Sequence, residues 1–273
     1  KDEYDLDIAP DEVIVTTSGL IAMYMALQAI LDEGDEVIIQ SPFFTPYTAQ
    51  VEMARGIPVE LDTYEEEDFQ INIDRLKSLI TPRTRALIIN TPSNPTGSCL
   101  SADTLGEIAK IAEEEDLIVI ADDIYTSYSF EKDFIPFMSM PGMRERTITI
   151  NSFSKNFIMT GWRVGNIIAP AFIVRVLKDM GENIVYSAPA PSQRAAIYAL
   201  RNRMEYAAER INRIPWMSVI TPPKGSFYLF INIKKSGLSS LDAADMILEK
   251  AHVLLLPGNA FGRCGEGYLR LAC

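Results

Sequence analysis

The 273-residue chain is 48% hydrophobic and 23% charged, the balance of a packed globule rather than a disordered chain, and its length suits one large domain plus a smaller one. Its 25 basic and 37 acidic side chains leave a net charge of −12, which opposes attraction to a phosphate backbone and disfavours nucleic acid as a partner. Three cysteines with no CxxC pair and a single histidine exclude a readable disulfide framework, a cysteine zinc site and a multi-histidine metal centre, so no metal is expected and a reducing, cytoplasmic setting fits.

The opening KDEYDLD has no initiator methionine and none of the basic and apolar regions of a signal peptide, and reads as the start of a fragment. TTSGLIAM at 16–23 runs from a strand through Gly19 into a helix, Leu20 to Leu31. That apolar run is too short to span a membrane. Its exposed N–H groups and positive end suit an anion. A strand, Glu36 to Ile39, leads past Phe44 to a helix, Pro46 to Ala54; a strand, Ile57 to Leu61, is followed by EEED at 65–68, which reads as a solvated loop. Then come a helix, Ile73 to Ile80, a strand, Ala86 to Asn90, the segment NTPSNPTG at 90–97, and a helix, Ala102 to Glu114, capped by Ser101. The strand Leu117 to Ala121 ends in ADDIY, and the strand Thr147 to Asn151 runs into NSFSKNFIMTGWRVG at 151–165.

This alternation is the pattern of repeated βαβ units, which predicts an α/β fold with a mainly parallel sheet flanked by helices. After Pro189 and Pro191 it changes to a helical stretch, Ser192 to Ile214, a strand-like Gly225 to Ile233, a helix from Leu241, and Val253 to Leu256. The chain is therefore expected to divide into a large domain, 1–190, and a smaller C-terminal α+β domain, 191–273. His252, following Leu241 to Ala251, reads as a helix-end or core histidine.

In open α/β sheets ligands bind at the carboxyl ends of strands, and the polar motifs cluster there. Lys155 stands directly after a strand with Arg163 eight residues on. The hydroxyls of Ser152 and Ser154 with the Arg163 guanidinium suit a phosphate, leaving the Lys155 amine for covalent work. Each motif alone has an ordinary reading: a lone lysine is a solvated charge, NPTG is a β-turn, and a strand-terminal aspartate is a cap. No GxGxxG or GxxxxGK[ST] motif competes for a nucleotide reading.

The ordered set of a Ser–Gly helix start, Phe44, SNPTG, DDIY and SFSKNFIMTGWRVG resembles the class I/II, fold type I aminotransferases, and the resemblance runs over essentially the whole chain. It implies a pyridoxal 5′-phosphate (PLP) enzyme that moves an amino group between an amino acid and a 2-oxo acid through pyridoxamine phosphate. Lys155 would be the covalent attachment point and proton carrier, and Asp122 the counter-ion of the pyridine nitrogen. Asn94 and Tyr125 would bond the ring's phenolic oxygen, and Phe44 would stack on the ring unless it is simply a core residue. Ser18, Gly19, Leu20, Ser152 and Arg163 would hold the phosphate, with Ser154 a weaker candidate. Arg270 in GYLRLA would take the substrate α-carboxylate through a bidentate pair.

The resemblance further implies a homodimer, an N-terminal segment and a terminal helix that this sequence does not carry, and an omitted stretch near Asn202, where Ala195 to Asn202 meets RMEYAAERI abruptly. Leu20 stands where many relatives place a polar or basic side chain, which predicts a preference for apolar or aromatic donors, and Ile158 is bulkier than the residue usual there. A PLP-dependent C–S β-lyase and an aminotransferase-like regulatory module are the alternatives. GWRVG after Lys155 favours transamination, and the chain shows no basic helix-turn-helix region.

Overall fold

The computed structural model describes residues 4, 6–130, 134–201, 203–219 and 228–272. The elements in chain order are β1 (Val13–Thr16), α1 (Gly19–Ile30), β2 (Glu36–Ser41), α2 (Pro46–Met53), β3 (Ile57–Asp62), α3 (Ile73–Leu79), β4 (Thr84–Ile89), α4 (Ala102–Glu114) and β5 (Ile118–Asp122). There follow β6 (Thr147–Ser152), the single turn α5 (Phe153–Asn156), β7 (Gly165–Ile168), α6 (Ala171–Ile184), α7 (Ala190–Arg201), α8 (Arg203–Asn212), β8 (Tyr228–Asn232), α9 (Ser240–Ala251), β9 (Leu256–Pro257) and β10 (Tyr268–Ala272).

Two compact units result, Lys1–Asn156 with Thr160–Ser192, and Phe157–Met159 with Gln193–Cys273. The first is built on a seven-stranded sheet of order β1-β7-β6-β5-β4-β2-β3. Strands β3, β2, β4, β5 and β6 run parallel, and β7 is antiparallel to both its neighbours. A mainly parallel sheet must be covered on both faces, so its central strands are near-continuous apolar runs. Alternate residues go to opposite faces. Val37, Ile39, Ile88, Ile120 and Ile148 form one core with Met25 and Leu27 of α1, Val51 of α2 and Leu177 of α6. Ile38, Leu87, Ile89, Val119 and Ala121 form the other with Leu76 of α3 and Leu105 and Ile108 of α4. Each fully buried Leu or Ile contributes about 1.5–3 kcal/mol, so these two layers fix the register that places the strand ends.

The second unit has a three-stranded antiparallel sheet, β8-β10-β9. Leu229, Ile231 and Leu269 meet Ala243 and Ala244 of α9 and Ala208 and Ile211 of α8 in its core.

Several expectations need correction. Of the stretch Ser192 to Ile214, the residues through Arg201 (in α7) and Arg203–Asn212 (α8) are helical and Arg213 and Ile214 follow the helix; Asn202 lies outside the described residues, as does the stretch expected to be missing there. In Val253 to Leu256 only Leu256 is in a strand, because β9 is two residues long and pairs with Leu269 and Arg270 alone. The strand expected over Gly225 to Ile233 is Tyr228–Asn232, and 225–227 lie outside the described residues. EEED is more ordered than a loop: Glu65–Glu67 form a 3-10 turn closed by a left-handed Asp68, and Glu67 pairs with Arg75 at 3.2 Å. Of the two readings of His252 the helix-end one holds: it is the exposed, left-handed C-cap of α9. Among the described residues no helix is long and apolar enough to cross a membrane.

Candidate active site

The carboxyl end of β5 carries two adjacent aspartates, and strand alternation separates them. Ile120 faces the core beneath α1 and α2, so Asp122 does too, while Asp123 turns to the other side with Ala121. Asp122 is 4% exposed. Its Oδ2 accepts the Tyr47 hydroxyl at 2.5 Å, and the Ile124 N–H also donates to the carboxylate. Oδ1 is buried with no hydrogen-bond partner among the described residues. Burial raises the Asp122 pKa from 3.8 to about 6, and the bonds from Tyr47 and Ile124 oppose the rise. Burial and, after it, the Asp122 charge push the Tyr47 hydroxyl well above its ordinary range, so Tyr47 remains a donor. Asp123 instead accepts the Tyr4 hydroxyl at 3.0 Å, and Tyr4 also bonds Asn151.

A second cluster adjoins Asp122. Asn90, the residue after β4, donates from Nδ2 to the Asp122 carbonyl at 2.8 Å and accepts the Asn94 N–H on Oδ1 at 2.8 Å. One amide thus fastens the NPTG loop to the end of β5. The Asn94 side chain bonds the Tyr125 hydroxyl, opposing a rise in the Tyr125 pKa that comes first from burial and then from the Asp122 charge. Phe44 is half-buried and meets Tyr47 edge-to-face at 5.7 Å.

The third cluster surrounds the start of α1. Ser18 is the N-cap, its Oγ accepting the Ile21 N–H at 3.2 Å, and Thr16 Oγ1 donates to the Ser18 carbonyl. The N–H groups of Gly19 and Leu20 precede the first intrahelical acceptor, so they point at whatever lies off the helix end. Register sets Thr16, Gly165 and Ser152 side by side on β1, β7 and β6. A Cβ on Gly165 would fall 2.7 Å from the Asn151 carbonyl and 2.9 Å from the Gly19 nitrogen, and one on Gly19 would meet Ser152 Cβ at 3.2 Å. The two bare positions let three chain segments close on one point. Ser152 Oγ accepts the Ser154 N–H, as Ser18 Oγ accepts that of Ile21, so each hydroxyl keeps its proton for a ligand.

Lys155 is exposed on α5, directly after β6. Its turn is pinned to the loop after β5: the Tyr128 hydroxyl donates to the Lys155 carbonyl at 3.0 Å and Asn156 Nδ2 to Thr126 Oγ1 at 2.7 Å. Arg163 is exposed, left-handed at φ 51°, and donates to the Thr160 carbonyl at 2.9 Å, while Thr160 Oγ1 donates to the Ser154 carbonyl. Arg270, in the second unit, lies on β10 with its guanidinium 4.4 Å from the centre of the Phe261 ring.

Tyr47, Asn90 and Tyr128 were not singled out in the sequence. Only Asn90, at the end of a strand and the head of NTPSNPTG, carried a local signal.

The profile of the family described as aminotransferase class I and II matches residues 1–273. The chain belongs to that family. It is 40% identical over 291 residues to an aspartate aminotransferase of Pyrococcus abyssi, covering 100% of this chain and 74% of the relative. It is also 40% identical over 292 residues to aromatic-amino-acid aminotransferase 2 of Thermococcus litoralis, with the same coverage. The crystal structure of an aromatic aminotransferase from Pyrococcus horikoshii OT3 superposes with a TM-score of 0.67 at 37% identity, covering 100% of this chain and 77% of that one.

This aminotransferase is therefore a PLP-dependent enzyme that exchanges an amino group between an amino acid and a 2-oxo acid. The family and its named members favour transamination over C–S lysis or a regulatory role. The residues present fit the cofactor. A buried carboxylate oxygen with no donor is costly, and a protonated pyridine nitrogen would supply the opposite charge and the donor that Asp122 Oδ1 lacks among the described residues.

Proposed function

We propose that PLP lies across the strand ends from Asp122 to the first turn of α1, with Lys155 as its covalent attachment point. The observation that carries this reading is the buried Asp122 Oδ1, which has no hydrogen-bond partner among the described residues. When bound, the cofactor supplies a protonated ring that withdraws electrons from the substrate Cα. Asp122 holds that proton on the ring nitrogen by charge. Asn94 and Tyr125 bond the phenolic oxygen, and Phe44 covers the ring. Ser18, Ser152 and Arg163 donate to the phosphate beside the N–H groups of Gly19 and Leu20, and Ser154 adds its hydroxyl. Lys155 Nζ, displaced by the substrate amine, takes and returns the proton at the substrate Cα. Arg270 binds the α-carboxylate common to every donor.

Leu20 supports a preference for apolar or aromatic donors. Leu20 is 45% exposed at the first turn of α1, and an alkyl group there offers no charge to offset desolvation of a side-chain carboxylate. Relatives at equal identity are named for aspartate and for aromatic amino acids, so their names do not choose. We further infer a homodimer, as the family resemblance implies, which sedimentation measures directly, and a cytoplasmic setting in which the free thiols of Cys99 and Cys264 stay reduced.

The test is to add an amino-acid donor to the PLP-loaded protein and follow both the cofactor absorbance and the 2-oxo acid formed. Stoichiometric oxo acid in the wild type and none in Lys155→Ala, with PLP still bound by the variant, is the expected result. Turnover by Lys155→Ala at the wild-type rate contradicts the assignment.

A further inference from the structure

Helix α2 touches both ends of the proposed cofactor site through two side chains one turn apart. Tyr47 and Gln50 are both buried, and a spacing of three puts them on the same face of the helix. Tyr47 donates to the Asp122 carboxylate at 2.5 Å. Gln50 Nε2 donates to the carbonyl of Leu20, in the first turn of α1, at 2.9 Å. Phe44, three residues before Tyr47, lies edge-on to its ring, and the Tyr47 N–H closes the start of α2 onto the Phe44 carbonyl.

A second bond joins the same two helices farther along. Gln28 Nε2, on α1, donates to the Met53 carbonyl at the end of α2 at 3.0 Å. Leu20 and Gln28 are eight residues apart, roughly 12 Å along a helix rising 1.5 Å per residue. Held at two separated points, α1 and α2 cannot slide past each other without breaking one of the bonds. Gln50 Oε1 is buried with no partner among the described residues. Packing alone does not call for an amide there, since a leucine fills similar space without an unpaired acceptor. What the amide does at this position is hold the Leu20 carbonyl and, through it, the helix end that faces the phosphate.

We propose that α2 sets the distance between the ring-nitrogen end and the phosphate end of the cofactor site, with Tyr47 and Gln50 as its positioning residues. This rests on the assignment of Asp122 and of the first turn of α1 made above. Tyr47 orients the carboxylate, and Gln50 sets the depth of the N–H groups of Gly19 and Leu20. Neither needs to touch the cofactor.

The experiment titrates apoprotein with PLP and with pyridoxal, which lacks the phosphate, from pH 5 to 8, and measures both dissociation constants by cofactor absorbance. Gln50→Leu is expected to weaken PLP about tenfold while leaving pyridoxal unchanged, so the ratio of the PLP to the pyridoxal dissociation constant rises about tenfold. Tyr47→Phe is expected to keep that ratio and to move upward, by about half a pH unit or more, the pH below which both ligands are lost. That edge marks protonation of Asp122, and removing the Tyr47 bond removes an interaction that favours the ionised carboxylate. Tyr125, the other titratable group acting on Asp122 from the loop after β5, has its pKa raised from 10.0 and does not titrate in this range.

Circular dichroism and thermal unfolding report folding, and Gln50→Met and Tyr47→Leu replace any variant that does not fold. An unchanged ratio in the Gln50 variant, or an unmoved edge in the Tyr47 variant, overturns the proposal. Ser18→Ala and Asp122→Asn separate the two levels. If they alter ratio and edge while the α2 variants do not, only the role of α2 fails. If they alter neither, the assignment of the cofactor's ends fails and the role of α2 with it.

Discussion

Asp122→Asn should make the cofactor-free protein more stable at pH 8 relative to the wild type than at pH 4. Asp122 is buried, its largest perturbation is desolvation, and its pKa rises from 3.8 to about 6. A folded-state pKa raised in this way stabilises the fold fully below pH 3.8, and that contribution is lost as pH rises through about 6. The difference of roughly 2 pH units, at 1.36 kcal/mol each, amounts to ~3 kcal/mol. Asparagine is isosteric, still accepts the Tyr47 hydroxyl and does not titrate, so the variant lacks this loss. Thermal unfolding of both apoproteins from pH 4 to 8 reads the effect. At about 2–4 °C per kcal/mol for chains of this size, the variant should gain about 6 °C or more on the wild type across the range. Saturation with PLP should reverse the order at pH 8, because the ionised carboxylate then pairs with the ring nitrogen. A variant-minus-wild-type difference that stays flat from pH 4 to 8 refutes a costly buried charge at Asp122.

Asp123→Asn should keep most transaminase activity while Asp122→Asn loses most of it, since Asp123 bonds Tyr4 on the other side of β5; comparable losses in steady-state assays contradict the division of roles. Gly165→Ala forces a Cβ within 2.9 Å of the Gly19 nitrogen, so it should weaken PLP at least tenfold and pyridoxal far less; equal weakening places the damage outside the phosphate cradle. In kcat/KM comparisons, leucine and phenylalanine should exceed aspartate, and Leu20→Lys should improve aspartate selectively. A clear wild-type preference for aspartate sinks the role given to Leu20.

The large-domain fold was legible because its parallel strands are short continuous apolar runs separated by helices with readable starts, such as Ser101 before α4. The second unit was less so. Its strand β9 is two residues long, too short to leave a periodic signal. Among the candidate site residues, Lys155, Asp122 and Asn94 stand in motifs at strand ends, and the family resemblance of those motifs implies their roles. The choice of Asp122 over Asp123 rests on the resemblance of DDIY to the family motif, and period-two alternation along β5, with Ile120 and Ala121 in different cores, separates the two side chains. Tyr47 and Gln50 were invisible because nothing in PYTAQVEM says which face of that helix meets a strand end. Their partners, Asp122 and Leu20, lie 75 and 30 residues away. Such contacts belong to tertiary register and not to local pattern.

The proposed attachment of the cofactor to Lys155 can be tested directly. Borohydride reduction of the PLP-loaded protein, followed by proteolysis and peptide mapping, fixes the cofactor to its lysine irreversibly. A single modified peptide spanning SFSKNF is expected, with the adduct on Lys155. Recovery of the adduct on Lys178 or any other lysine, with Lys155 unmodified, would contradict the proposal.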